Sequence, residues 1–322
     1  MSVDLVLIGR NEGERLIKSL ASVVPQARRV VYVDSGSTDD SVTNAERVGA
    51  QVVNLDMSVP FTAARARNSG VEALMALDDP PEFIQFLDGD CVLRDGWLDH
   101  ATTAMRSKPD LAIVTGLQAE LNRDTTVFNQ MSDFEWKRPT GPIDACGGNM
   151  MVRVSAFESV GGFNPDVIAA EDDEFCTRLR KSGWYLVRIA ESMSLHDGGV
   201  LQFAQWWKRA ERTGHGFAQV GYMHSDYFVR ERRRVWLYGL ILPVVAVFGA
   251  IASLLVPLFV LAIYGLSFWK TAQGLKSEGV VAHEASRHAG LLTMSKFPNV
   301  IGMIRYHWRR LSHAKMHIIE YK

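Results

Sequence analysis

Only three cysteines occur in 322 residues, an odd number with neither C-x-x-C nor metal-finger spacing. A disulfide framework and a zinc knuckle are therefore not expected, and Cys91, Cys146 and Cys176 read as core residues of a protein from a reducing compartment. No basic segment precedes the short apolar stretch at residues 5–8, so a secretory signal is not expected and the body of the chain stays inside the cell. Internal repeats and low-complexity tracts are missing too. With 47% hydrophobic and 22% charged residues, the composition excludes a disordered chain.

The net charge of -1 conceals an asymmetry. Up to Arg234 there are 26 basic and 33 acidic residues; beyond it there are 9 and 3, so an acidic body of about -7 precedes a basic tail of about +6. Between them, residues 235–269 carry no charged side chain. That exceeds the roughly 18 apolar residues that mark a membrane helix, and as one helix it would run about 52 Å against a hydrocarbon core of about 30 Å. Pro243, Gly249, Pro257 and Gly265 offer breaks, so a helical hairpin turning near 253–257 is expected, with one tilted span as the alternative. Arg230, Arg232, Arg233 and Arg234 stand before the run and Lys270 and Lys276 after it, which assigns both ends to the cytoplasmic side of an inner membrane.

Ahead of that run, strand-like and helical patterns alternate. Strands are expected at 3–8, 30–34, 52–55 and 82–88, with helices near 12–24, 39–48 and 62–76, the signature of an α/β fold with a largely parallel sheet. Nucleotides bind such folds beyond the carboxyl ends of the strands, where Asp34 and Asp88 stand. A helix near 97–105, a strand near 111–121, a long polar connection to Asp144, helices near 154–160 and 172–182 and a strand near 184–189 complete the body. Residues 201–234 form an amphipathic stretch, and 283–322, with seven basic and two acidic residues among Phe297, Tyr306 and Trp308, has the pattern of an interfacial helix.

The densest chemistry is Phe86-Leu87-Asp88-Gly89-Asp90, an apolar strand ending in two carboxylates. A turn at Gly89 would let both face one hard cation, Mn2+ or Mg2+, which takes carboxylate and diphosphate oxygens; a solvated turn gives the same tripeptide. Asp34 opens Asp34-Ser35-Gly36-Ser37-Thr38-Asp39 and suits a nucleobase N–H as an acceptor, whereas Asp39 has the look of a helix N-cap. Arg67, in Ala63-Ala64-Arg65-Ala66-Arg67-Asn68-Ser69-Gly70, suits anionic oxygens as a bidentate donor.

Taken in order after Arg10-Asn11-Glu12-Gly13, these segments closely resemble the nucleotide-binding half of family 2 glycosyltransferases of the GT-A fold, over residues 1–200. The resemblance continues through Gly147-Gly148-Asn149-Met150-Met151, Gly161-Gly162-Phe163 and Glu171-Asp172-Asp173-Glu174. It implies a GT-A, Rossmann-like domain over 1–200, followed by interface helices at 201–234, a hairpin at 235–270 and a basic tail at 271–322. It further implies that Asp34, Arg67 and Asp88 bind the donor, that Asp90 and His196 hold the metal, and that Asp172 is the catalytic base. A carboxylate at the head of a helix also complements the helix dipole, so the run at 171–174 has a structural reading as well. Trp136 fits either a sugar-stacking platform or an apolar loop anchor. Trp206, Trp207, Arg209 and Arg212 depart from the Gln-x-x-Arg-Trp pattern of processive synthases, so polymerisation is not implied.

The expectation is an inverting transfer from a nucleotide-diphosphate sugar, a UDP-sugar by resemblance, to a hydroxyl of a lipid-linked glycan at the membrane, with no nucleic-acid partner. Three rivals remain: a polyprenyl-phosphate sugar synthase, a sugar nucleotidyltransferase, for which residues 10–13 lack the Gly-rich basic loop, and a non-catalytic membrane scaffold.

Overall fold

The computed structural model describes residues 3–320. It comprises two compact units, one formed by the chain up to Arg123 with Ser132–Gly198, the other by Asp124–Met131 with the chain from Gly199 onward.

The first unit is built on one sheet. Its strands are β1 (Val3–Gly9), β2 (Val30–Asp34), β3 (Gln51–Asn54), β4 (Phe83–Asp88), β5 (Cys91–Leu93), β6 (Leu111–Glu120), β7 (Gly141–Pro142), β8 (Met150–Arg153) and β9 (Tyr185–His196). They lie in the order β3-β2-β1-β4-β8-β6-β9-β5, with β7 also on β9. β1 is parallel to β2 and β4, and β2 to β3, while β8 runs antiparallel to both β4 and β6. This is a mixed α/β sheet. The chain builds outward from β1 to β3 and then returns to the other side of β1 with β4, leaving a crevice at the carboxyl ends where such sheets receive ligands.

Helices α1 (Glu14–Val23), α2 (Ser41–Arg47), α3 (Ala63–Met75), α4 (Trp97–Ser107), α5 (Val127–Trp136), α6 (Val154–Ser159) and α7 (Glu171–Lys181) accompany the strands. Alternate residues of β1 feed two cores: Val6 and Ile8 join Val33, Leu74, Phe86, Phe163 and Phe175, while Leu5 and Leu7 join Leu16, Leu20, Tyr32 and Trp97. That alternation follows from the two-residue period of a strand covered on both faces. A Cβ at Gly70 would collide with Val6 and Val33, so glycine lets α3 settle onto β1 and β2.

Two expectations change. The connection read as polar between 121 and 144 contains α5, whose start is marked by Thr126 Oγ1 accepting from the N–H of Asn129. The last strand does not stop at Ile189 but runs to His196, because β6 supplies a parallel partner along its whole length, with irregularities in register that accommodate its polar middle.

The second unit is helical: α8 (Phe203–Met223), α9 (Val229–Trp236), a π turn (Leu237–Ile241), α10 (Leu242–Ala252), α11 (Leu255–Ser277), α12 (Ala282–Met294) and α13 (Lys296–Leu311). α8 packs on α13 through glycine, since a Cβ at Gly214 would strike the backbone of Asn299 and one at Gly302 that of Glu211. The π turn falls just before Pro243, whose missing N–H and ring disfavour a regular α turn there. Residues Val229–Ala252 and Leu255–Ser277 form two helices long and apolar enough to cross a membrane, broken at 253–254. Side chains along them are open: Val247, Phe248, Ile251 and Leu255 are each at least 66% exposed, Ile251 reaching 84%.

Candidate active site

Asp34 and Asp88 end β2 and β4 on either side of β1, in register with Gly9 and Ile8. Asp34 is 3% exposed. One oxygen accepts from the Tyr32 hydroxyl at 3.0 Å, the other from the N–H groups of Gly36 at 2.9 Å and Ser37 at 2.8 Å, so this carboxylate shapes the loop after β2. Burial, and then the Asp34 charge, push the Tyr32 phenol above its ordinary range and keep it a donor. The same loop is tied to the one after β1 by Asn11, which accepts from the N–H of Thr38 at 2.7 Å, and by Asp39. Asp39, expected as a helix N-cap, lies one residue ahead of the N-cap Asp40; it accepts from Ser41 N–H in an Asx turn and from Gly13 N–H at 3.0 Å.

The two acids of the Asp-Gly-Asp turn take different partners. Asp88 accepts from Arg67 Nη2 at 2.9 Å, and Arg67 Nη1 donates to Glu171 Oε1 at 2.8 Å. The guanidinium is 2% exposed and lies 5.4 Å over the Phe163 ring. Burial opposes its charge, but Asp88 and Glu171 more than offset that, so its pKa lies above the usual value. Arg67, expected from sequence to bind the donor, has its two outer nitrogens engaged by carboxylates, one of them Asp88 at the end of β4.

Asp90, 6% exposed, faces β9. The β5–β9 ladder sets Cys91 opposite His196, and Asp197 N–H donates to Asp90 O at 2.9 Å. His196 Nε2 then stands 3.5 Å from Asp90 Oδ2, and its Nδ1 lies 3.1 Å from Glu120 Oε2. Ligand atoms of Asp90, Cys91 and His196 lie within 4.8 Å of one another. The Cys91 sulfur also accepts from Asn149 Nδ2 at 3.1 Å, while Asn149 Oδ1 accepts from Asp88 N–H at 2.9 Å, so Asn149 braces both ends of the turn.

Asp172 is the second residue of α7, which starts after Ala170 at φ 58°, a left-handed conformation costing a non-glycine residue about 1–3 kcal/mol. The Asp172 carboxyl is pushed well above the carboxylate range by burial and then by Asp173 and Glu171, against the opposing charge of Arg67. Gly147 separates it from Trp136: a Cβ there would lie 3.4 Å from the indole and 4.0 Å from Asp172 Oδ2. Trp136 meets His196 edge-on at 5.4 Å, and its buried Nε1 has no hydrogen-bond partner.

Arg67 with Asp88, and Asp90 with His196, are thus adjacent pairs, Asp172 is linked to the first through Glu171, and Asp34 stands across β1. Glu120 was missed, although it ends a strand just as Asp34 and Asp88 do.

Comparison with known proteins supplies the context. The family model described as glycosyl transferase family 2 matches residues 4–161, and that described as glycosyl transferase family group 2 matches 83–275. A pre-mycofactocin glycosyltransferase of Mycobacterium tuberculosis is 26% identical over 237 residues, covering 70% of this chain and 48% of the relative. This chain therefore spans about half the length of the curated relatives it matches. Among solved structures, the mannosyltransferase PcManGT of Pyrobaculum calidifontis, in complex with GDP-Man and Mn2+, superposes with a TM-score of 0.60 at 15% identity, over 96% of this chain and 88% of that one. S. aureus TarS superposes with a TM-score of 0.50 at 14% identity, over 76% and 46%. At such identities the likeness is one of fold, and that fold is GT-A.

Proposed function

Since the chain belongs to glycosyl transferase family group 2, we propose that it is an inverting, metal-dependent transferase that moves a sugar from a UDP-sugar to a hydroxyl of a lipid-linked glycan in polysaccharide synthesis. The observation that carries this reading is the half-buried Asp172 at the head of α7, its proton affinity raised, beside the Arg67 that binds Asp88 at the end of β4. A base of that kind takes the proton of the acceptor hydroxyl as its oxygen attacks the anomeric carbon and the bond to the diphosphate breaks, for about 10²- to 10⁴-fold in rate. Attack from the face opposite the leaving group inverts the configuration.

Asp34 receives a base N–H on the one lone pair left on Oδ1, and Asp88, oriented by Arg67, lines the nucleotide side. Asp90 and His196 offer a carboxylate oxygen and an imidazole nitrogen 3.5 Å apart, less than twice the roughly 2.1 Å from a hard cation to its ligand, so the donor set fits Mn2+ or Mg2+. The chemistry such an ion supplies is neutralisation of the departing diphosphate. The two apolar helices, flanked by basic residues at both ends, support a hairpin in the inner membrane with the catalytic unit cytoplasmic, where lipid-linked acceptors are at hand.

Calorimetric titration of the purified chain with UDP, GDP, dTDP and CMP, each with and without Mn2+, tests the reading together with Asp90→Ala. Metal-dependent binding of UDP, lost in the variant, is expected; binding of no nucleotide under any condition would remove the donor step. Asp172→Asn then separates acceptors, because an ionised phosphate has no proton to give and would tolerate the change.

A further inference from the structure

Behind His196, on the side away from Asp90, lies Glu120, the last residue of β6, with a fully buried side chain. Both of its oxygens face nitrogen atoms. Oε1 accepts from Gly198 N–H at 3.0 Å, and Oε2 lies 3.1 Å from His196 Nδ1. Its own N–H donates to Asp133 Oδ1 at 3.1 Å, and Asp133 is in turn paired with Lys137 at 2.8 Å, so α5 holds the end of β6 in place. Gly198 packs so closely that a Cβ there would lie 3.0 Å from Glu120 Oε2 and 3.1 Å from the imidazole ring, and Trp136 closes another side of that ring.

A carboxylate is an acceptor only, so its partner at Nδ1 must carry the proton. In a neutral imidazole the lone pair then falls on Nε2, the nitrogen beside Asp90. With the opposite tautomer, Glu120 would face a lone pair in a buried site, and Nε2–H would point at Asp90 from 3.5 Å, too far for a good hydrogen bond. We propose that Glu120 is a positioning residue, holding His196 in the Nδ1–H tautomer with Nε2 turned toward a divalent cation shared with Asp90. This rests on the cation site proposed above and adds to it the group that aims its nitrogen ligand. Carboxylate partners of this kind change metal affinity by about 10- to 100-fold when removed.

Glutamine is the discriminating substitution. Its amide has one acceptor for two donors, so it either repels Gly198 N–H or donates to Nδ1 and drives the proton to Nε2. The test uses Mn2+ alone on the full chain, reading pulsed-EPR modulation from a directly bound ¹⁴N together with the dissociation constant. The wild type is expected to show the modulation and His196→Ala to lose it. Glu120→Gln should lose it with 10- to 100-fold weaker binding, and Glu120→Asp should retain part of it. A wild-type signal unchanged in Glu120→Gln overturns the role of Glu120 and leaves the cation site standing; a wild type with no modulation overturns the nitrogen ligand and the inference with it. A second measurement needs no altered side chain at position 120: in ¹⁵N-histidine-labelled protein, with His196→Ala for assignment, the His196 proton is expected on Nδ1 in the metal-free state. Finding it on Nε2 overturns the proposal.

Discussion

Gly148 faces the Arg67 guanidinium so closely that a Cβ at this position would collide with Nη2 and come within 3.3 Å of Asp88 Oδ2. Gly148 is therefore the wall against which the buried arginine is pressed, and through it the bridge from Asp88 to Glu171. Gly148→Ala must displace that bridge, and overpacking of this kind costs about 1–3 kcal/mol. Arg67→Ala is worse, since it leaves Glu171 uncompensated in a buried site, at about 3–5 kcal/mol. Thermal unfolding should rank wild type above Gly148→Ala above Arg67→Ala, and metal-supported nucleotide binding should fall in the same order.

Asp172→Asn separates activity from stability. The fold favours the protonated carboxyl, so the stability contributed by that proton is fully present below the unfolded carboxylate pKa and is lost as pH rises through the raised folded value. Above that raised value the wild type has given it up, whereas asparagine has no charge to bury. The variant should melt at or above the wild-type temperature while losing about 10²- to 10⁴-fold in kcat. In the wild type, kcat/KM should fall on the acid side through a pKa above the ordinary carboxylate range, and that limb should be missing from the residual activity of the variant.

Trp136 touches both halves of the site, with His196 on one side and Gly147, next to Asp172, on the other. Its unpaired indole N–H and apolar face suit a sugar. Trp136→Ala should raise the acceptor KM about tenfold, equivalent to roughly 1.4 kcal/mol, and leave calorimetric nucleotide affinity unchanged. A loss confined to nucleotide binding would make it a loop anchor.

The hairpin yields a topological prediction. All three native cysteines are buried, so thiol labelling of the folded chain reports introduced residues. Arg230→Cys and Glu278→Cys should both be protected from an impermeant maleimide in intact cells, while Ser253→Cys, at the break between the two apolar helices, should react. A Cβ at Gly249 would collide with Val256, so Gly249→Leu should force these helices apart and lower the melting temperature in detergent.

Local patterns were a good guide wherever one element carried the information. The unbroken apolar run Leu5-Val6-Leu7-Ile8 announces a strand covered on both faces, and Asp34 and Asp88 mark the carboxyl ends of the strands beside it, because burial pattern and chain direction are local properties. Glu120 carried the same mark and was passed over, since its meaning depends on His196, 76 residues later, at the far end of a strand whose polar half gave no periodic signal. The helix holding Asp133 and Trp136 is hidden for a related reason: it is only ten residues long between polar segments, and its start is marked by a single threonine.

The order of segments and the acids at strand ends, with the uncharged run at 235–269, were enough by themselves to set the α/β class, the family and two apolar helices. Only the tertiary structure decided how the charges are used. Arg67 could pair with a phosphate or with a carboxylate; burial beneath Gly148 left it with Asp88 and Glu171, because a guanidinium removed from water must be compensated by the acids packed around it. The pairing of β5 with β9 likewise brought Asp90 and His196 to 3.5 Å, a contact no local pattern could specify, since it is made by backbone hydrogen bonds between strands about a hundred residues apart.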